Sequence, residues 1–264
     1  MERIDKFKGL SVKKADATAD IDLINQYAVK ELAPEDVYCF SLVLCDNDVD
    51  RDTERFTEKT LDQLAKLFVG KTGISDHRWS AERQIARIYR TEVVEAGGKN
   101  ALGMPLKQLR ASAYMVRNET NQPIIDAIDA GIMKEVSIGC ATKACNCSIC
   151  KKPLRLDWSS WTYQCETGHI KGETYADGLC CGELEDATEA YEFSFVAVPA
   201  QKGAGVTKSI GNVDDAIEAL MNADLSGYGT KIKALMPRMQ TALTADAERA
   251  ERAAFIKSAE KYRA

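Results

Sequence analysis

The chain has 264 residues, 45% of them hydrophobic, and carries 35 Lys and Arg against 40 Asp and Glu for a formal net charge of -5. It is long enough to bury a core of its own, and its negative balance argues against nucleic acid as the main partner. Nine cysteines, clustered and odd in number, suit metal ligation and buried thiols better than a disulfide scaffold.

No apolar run approaches the roughly 18 residues that a membrane-spanning helix needs. The start, Met1 to Lys6, lacks the apolar stretch of a secretory leader, which predicts a cytoplasmic compartment. Residues 1–34 are charged and weakly patterned up to Pro34 and read as an arm rather than core. Tyr38 to Cys45 is a short apolar run rich in β-formers, as a buried strand requires. It ends in an acidic stretch from Asp46 to Asp52, which lacks the glycine and the terminal glutamate of a calcium-binding loop and reads as a turn.

Leu61, Leu64, Ala65 and Phe68 recur at helical spacing, and Gly70 is a suitable stop. Strands are predicted at 84–94 and 109–116, divided by a turn at Gly97 and Gly98. A short helix around Ile124, Ile125 and Ile128 follows, opened by Pro123 and closed by Gly131. Residues 135–140 alternate, which turns Ser137 away from Val136, Ile138 and Cys140. The cysteine-rich segment interrupts this pattern until a further strand at 191–199. Beyond it, Val213, Ile217, Leu220, Met221, Ile232, Leu235 and Met236 mark amphipathic helices, and residues 244–262 an alanine- and charge-rich one.

Cys147 and Cys150, then fourteen residues, then Cys165 and His169, form two close ligand pairs joined by a loop. This is the arrangement of a tetrahedral Cys3His zinc site. Four such ligands leave no open coordination position, so the zinc is expected to be structural. Cys145, Cys180 and Cys181 are substitutes or spare thiols, while Cys39, Cys45 and Cys140 sit inside strand patterns as small hydrophobes. Trp158 and Trp161 are expected to furnish a local core for the metal-stapled loop, with Gly168 and Gly172 helping it turn.

The chain has only two histidines. If His169 binds metal, His77 is the one imidazole left to act as a general base, and Ser137 is the best-placed serine for it to activate. Spacing alone allows Asp76-His77 to be an ordinary surface turn.

Several motifs occur in a set order. They are the Tyr38 to Leu44 strand, Asp50-Arg51-Asp52, the Asp76-His77 turn after Phe68 to Lys71, the Gly131 to Gly139 segment with Ser137, and the Glu192 to Ala200 strand. Over residues 36–207 this ordered set resembles the tailed-phage prohead (capsid maturation) serine protease family.

The resemblance implies a mainly β fold with peripheral helices (α+β), a herpesvirus-assemblin-like β-barrel. It implies Ser137 as nucleophile and His77 as base, with Glu192 as the acidic third member; Glu135, two residues from Ser137 on the same strand face, and Asp76, beside the histidine, are rivals by position. It further implies an endopeptidase that forms homo-oligomers and cleaves the capsid scaffold or the major capsid protein precursor. That work would take place inside the immature procapsid, in the host-cell cytoplasm.

The expected layout is an arm at 1–34, a protease domain at 35–207 holding a zinc-binding insertion at 141–182, and a scaffold-like helical region at 208–264. The insertion is expected to brace the active-site edge or take part in substrate selection. The competing expectation is a zinc-stabilised capsid-assembly or scaffolding protein without enzymatic activity.

Overall fold

The computed structural model describes residues 17–207; the expected C-terminal helices and the first part of the arm lie outside them. Helix α1 (Ala17–Asn25) places Ile24 in an apolar cluster with Val37, Tyr89 and Tyr114. Asp20 on the same helix accepts from Tyr89 Oη at 2.9 Å and pairs with Arg90. This stretch of the expected arm therefore takes part in packing.

Strand β1 (Val37–Asp46) leads to the short β2 (Glu54–Phe56), and helix α2 (Glu58–Phe68) follows. Thr57 caps α2 by accepting the Thr60 amide, which satisfies one of the helix's free first-turn donors. Leu61, Leu64 and Phe68 are buried at the predicted spacing, and Gly70 turns the chain at φ +80. Next come β3 (Thr72–Ser75), β4 (Ala86–Lys99) and β5 (Pro105–Val116).

The turn expected at Gly97 and Gly98 is displaced. Both glycines, at φ +74 and +78, lie inside β4, where the register with β5 shifts between Glu95 and Lys99. The turn itself is built on Asn100, whose Oδ1 accepts the amides of Leu102 and Met104. A self-bonding asparagine outcompetes the paired glycines as the turn nucleus.

Helix α3 (Gln122–Asp129) buries Ile125 and Ile128. Strand β6 (Val136–Cys147) then runs without interruption into the cysteine-rich segment. That segment holds two small hairpins, β7 (Arg155–Asp157) with β8 (Thr162–Gln164), and β9 (Thr174–Tyr175) with β10 (Gly178–Leu179). The chain returns in β11 (Gly182–Phe195) and closes with β12 (Gly205–Val206). Phe40, Leu42, Leu44, Ile88, Phe193 and Phe195 form part of the main core under α2 and α3.

The result is a mixed α+β fold on one large irregular sheet, and the expected assemblin-like barrel is not present. The ladders follow an open path, β12-β1-β5-β4-β3-β11-β2, with β6 paired to β11 off that path. Closure needs a continuous ladder between terminal strands. β12 has only two residues, and its contact with the chain before β6 is a single bridge, Glu135 to Gly205. Among the described residues no helix is long and apolar enough to cross a membrane.

Candidate functional sites

The β6–β11 pair carries two constellations, one near each end. At one end Cys147 faces Gly182, and at the other Ser137 faces Ser194 and Val136 faces Phe195. At about 3.4 Å per residue, roughly 30 Å of strand separates Ser137 from Cys147. The cysteine module is therefore an excursion from the far end of the ladder. It does not flank Ser137 along the strand, which corrects the expectation that it braces that edge.

Near Ser137, β3 runs parallel to β11, with Ser194 opposite Ile74 and Phe195 opposite Ser75. The chain then turns sharply at Asp76 and His77, both at positive φ (+54 and +52). The Arg78 amide donates to Ser75 O at 3.1 Å, and the Asp76 amide to Phe195 O at 3.0 Å. Aspartate and histidine are among the few non-glycine residues that enter the left-handed region readily, and held strain of this kind concentrates at functional sites.

The turn brings His77 Nδ1 to 2.8 Å from Glu192 Oε1. The Glu192 side chain is 3% exposed and that of His77 43%. The second carboxylate oxygen, Oε2, accepts from Ser194 Oγ at 2.7 Å. Opposite Glu192 stands Gly139, where a β-carbon would lie 2.7 Å from Glu192 Oε1. Only a glycine there leaves the carboxylate its place.

A bulge between Ala190 and Glu192 leaves Tyr191 unpaired, and its ring lies 5.3 Å from that of the exposed Trp79. An aromatic pair thus stands beside the His77–Glu192 contact. Bulges commonly re-aim side chains in this way.

Of the three residues proposed for catalysis, the structure brings His77 and Glu192 into contact. Ser137 is half-buried on the neighbouring strand, and among the described residues no hydrogen bond joins it to His77. Among the described residues neither Glu135 nor Asp76 forms a hydrogen bond or ion pair with the imidazole, and Glu192 is its carboxylate partner. Sequence reading missed Ser194. Its position two residues after Glu192 on a strand was the available sign, since such residues share a face.

In the second constellation, the donor atoms of Cys147, Cys150, Cys165 and His169 all lie within 4.8 Å of one another. Cys150 Sγ is 3.4 Å from Cys165 Sγ, and His169 Nδ1 is 3.6 Å from the sulfurs of both Cys147 and Cys165. The spacing-based expectation that these four converge is met, and together they form a candidate metal site.

Local backbone geometry serves the sulfurs. Lys151 at φ +61, just after Cys150, and Gly168 at φ +85, between Cys165 and His169, make the tight turns of the two ligand pairs. For Cys150, burial pushes the thiol's pKa up. The Thr167 hydroxyl, the Lys152 amide and the neighbouring thiols outweigh it and bring the group down to about 7. Cys165 is likewise lowered, with burial opposed by the Thr167 hydroxyl and the His169 and Thr167 amides. Donors aimed at sulfur favour the thiolate that a metal binds.

Thr167 was not anticipated. Its hydroxyl lies 3.1 Å from Cys150 Sγ, 3.0 Å from Cys165 Sγ and 3.2 Å from His169 Nδ1. Cys180 is fully buried, with its sulfur 3.6 Å from that of Cys147, and burial pushes its thiol up to about 12.

Trp158 and Trp161 do not form the expected local core. They stack edge to face at 5.5 Å and are 70% and 73% exposed. The module's interior is built instead from Cys147, Leu154, Cys165 and Cys180. A metal-stapled loop of this size has too little interior to enclose an indole.

Comparison of the chain with models of protein families, with curated proteins and with solved structures finds no match.

Proposed function

We propose that the chain is a serine endopeptidase centred on Ser137, His77 and Glu192, with its cysteine module folded around a structural zinc ion. The observation that carries the hydrolytic part is the 2.8 Å contact between His77 Nδ1 and the buried Glu192 carboxylate. A carboxylate on Nδ1 fixes the imidazole tautomer, directs Nε2 outward as a base and stabilises the imidazolium that forms. Ser137 stands across the ladder from Ser194, on the face that carries Glu192, where opposed β-carbons are about 5 Å apart. The serine–histidine bond of such centres commonly tightens only when substrate is bound.

In this reading His77 Nε2 takes the Ser137 proton as the hydroxyl oxygen attacks the scissile carbonyl carbon. It then returns that proton to the departing amine, and water hydrolyses the acyl-enzyme. The proposed substrate is the capsid scaffold or the major capsid protein precursor, inside an immature procapsid in the host-cell cytoplasm. That assignment, like homo-oligomer formation, rests on the motif resemblance alone.

For the metal, zinc fits the donor set. Tetrahedral zinc with its usual bond lengths implies sulfur–sulfur edges of about 3.8 Å and sulfur–nitrogen edges of about 3.5 Å. The Cys150–Cys165 edge is 3.4 Å, the His169 edges to Cys147 and Cys165 are 3.6 Å, and all four donors lie within 4.8 Å of one another. The ligand set is complete, so the ion would hold the loop and supply no chemistry.

A second reading is a zinc-stabilised capsid-assembly or scaffolding protein without hydrolytic activity. The saturated Cys3His set and the absence of a Ser137–His77 bond among the described residues favour it.

Incubation of the purified chain with its capsid precursor, beside a Ser137→Ala form, separates the two readings. The endopeptidase predicts cleavage that falls by about 10⁴-fold or more in the alanine form. Cleavage that persists in Ser137→Ala removes the serine assignment, and binding of the precursor with no cleavage by the parent protein supports the second reading.

A further inference from the structure

We infer that Ser194 is a positioning residue that locks the His77–Glu192 pair through a single hydroxyl. Its Oγ is engaged twice, donating to Glu192 Oε2 at 2.7 Å and accepting from the His77 backbone N–H at 3.1 Å. With the 2.8 Å contact between Glu192 Oε1 and His77 Nδ1, these bonds close a ring through hydroxyl, carboxylate, imidazole and histidine backbone. Both ends of the histidine are held from one strand.

Each part of that ring would be loosely determined without the hydroxyl. Glu192 is 3% exposed and its Oε2 has no other hydrogen bond among the described residues, so without the hydroxyl only the His77 bond to Oε1 would orient the carboxylate. His77 sits at φ +52 directly after Asp76 at φ +54, a backbone that persists only where its surroundings over-determine it. The Ser194 acceptor and the Phe195 carbonyl hold consecutive amides of that turn.

Ser194 is not a second nucleophile. It is 0% exposed, and its proton is committed to the carboxylate rather than to an imidazole nitrogen. The kinetic consequence of the inference rests on the proposed hydrolytic reading, whereas its structural consequence does not.

With only two histidines in the chain, nitrogen-15 labelling of histidine in the full-length protein reads the tautomer of each, and a His77→Gln form assigns the signals. The parent protein is expected to hold neutral His77 as the Nδ1–H tautomer. Ser194→Ala shifts it toward a mixture, and where precursor cleavage is measured, kcat falls by about 10²-fold with KM unchanged.

Ser194→Thr and Ser194→Val form a nearly isosteric pair that separates the hydroxyl from mere filling of space. Threonine should keep the Nδ1–H state and valine should lose it. In a Glu192→Gln background, removing the hydroxyl should produce no further change.

Retention of the Nδ1–H state in both Ser194→Ala and Ser194→Val overturns the inference. So does equal loss in the threonine and valine forms, or full additivity with Glu192→Gln. A parent protein that cleaves nothing defeats the hydrolytic reading, while the tautomer measurement still decides the role of Ser194.

Discussion

Asp46 opens the acidic stretch that sequence alone reads as a turn, and it is only 5% exposed while the adjoining Asn47 is fully buried. Asn47 explains the burial. Its side chain donates to Pro105 O and accepts the Lys107 amide, and its carbonyl accepts from Asn100 Nδ2, so the stretch is pinned to the β4–β5 hairpin. Burial, opposed in part by the Asp48 amide, raises the Asp46 carboxyl from 3.8 to about 6. Its neutral form therefore contributes stability that is complete below pH 3.8 and lost as pH rises through 6, on the order of 3 kcal/mol. Asp46→Asn is expected to raise the urea midpoint at pH 8 and to change it little at pH 4. An equal gain at both values would remove ionisation as the cause.

Among the elements, the parallel contact of β2 with β11 carries a buried ion pair. Arg55 Nη2 meets Glu183 Oε1 at 2.6 Å, with both side chains under a tenth exposed, and Lys151 reaches Glu183 Oε2 at 2.6 Å from the cysteine module. Arg55 Nε and Nη1 have no hydrogen-bond partner among the described residues. Removing the carboxylate would strand a buried guanidinium, so Glu183→Ala is expected to cost about 3–5 kcal/mol in denaturant unfolding, whereas an Arg55→Met, Glu183→Leu double form should stay near the parent. A loss below 1 kcal/mol on the single substitution would mean that Arg55 finds water.

At the scale of the whole molecule, the candidate metal module and the His77–Glu192 pair hang from opposite ends of one strand pair. The module has its own small interior, separate from the main core. Chelation or acidification, which protonates the thiolates, is thus expected to unfold residues 148–181 and leave the sheet intact. Hydrogen exchange should show protection lost between Cys147 and Cys181 and retained in β1 and β5. Loss spreading into β1 would make the metal a keystone of the whole fold.

What the sequence determined by itself is local in the chain. Leu61, Leu64 and Phe68 bury at their predicted spacing because a helix face is set by neighbours three and four residues apart. Cys147, Cys150, Cys165 and His169 converge because tight turns aim each pair. The tertiary structure alone decided what depends on pairing between distant strands. The motif resemblance points to Glu192 while position in the chain leaves Glu135 and Asp76 open, and the parallel register of β3 on β11 makes Glu192 the partner of His77 across 115 positions. The same register brings the His77 amide to the Ser194 hydroxyl, a bond that no periodicity signals. The sheet stays open because closure depends on how long β12 pairs, and β12 has only two residues. Composition records which residues can serve as ligand, base or core, whereas ladder register decides which of them meet.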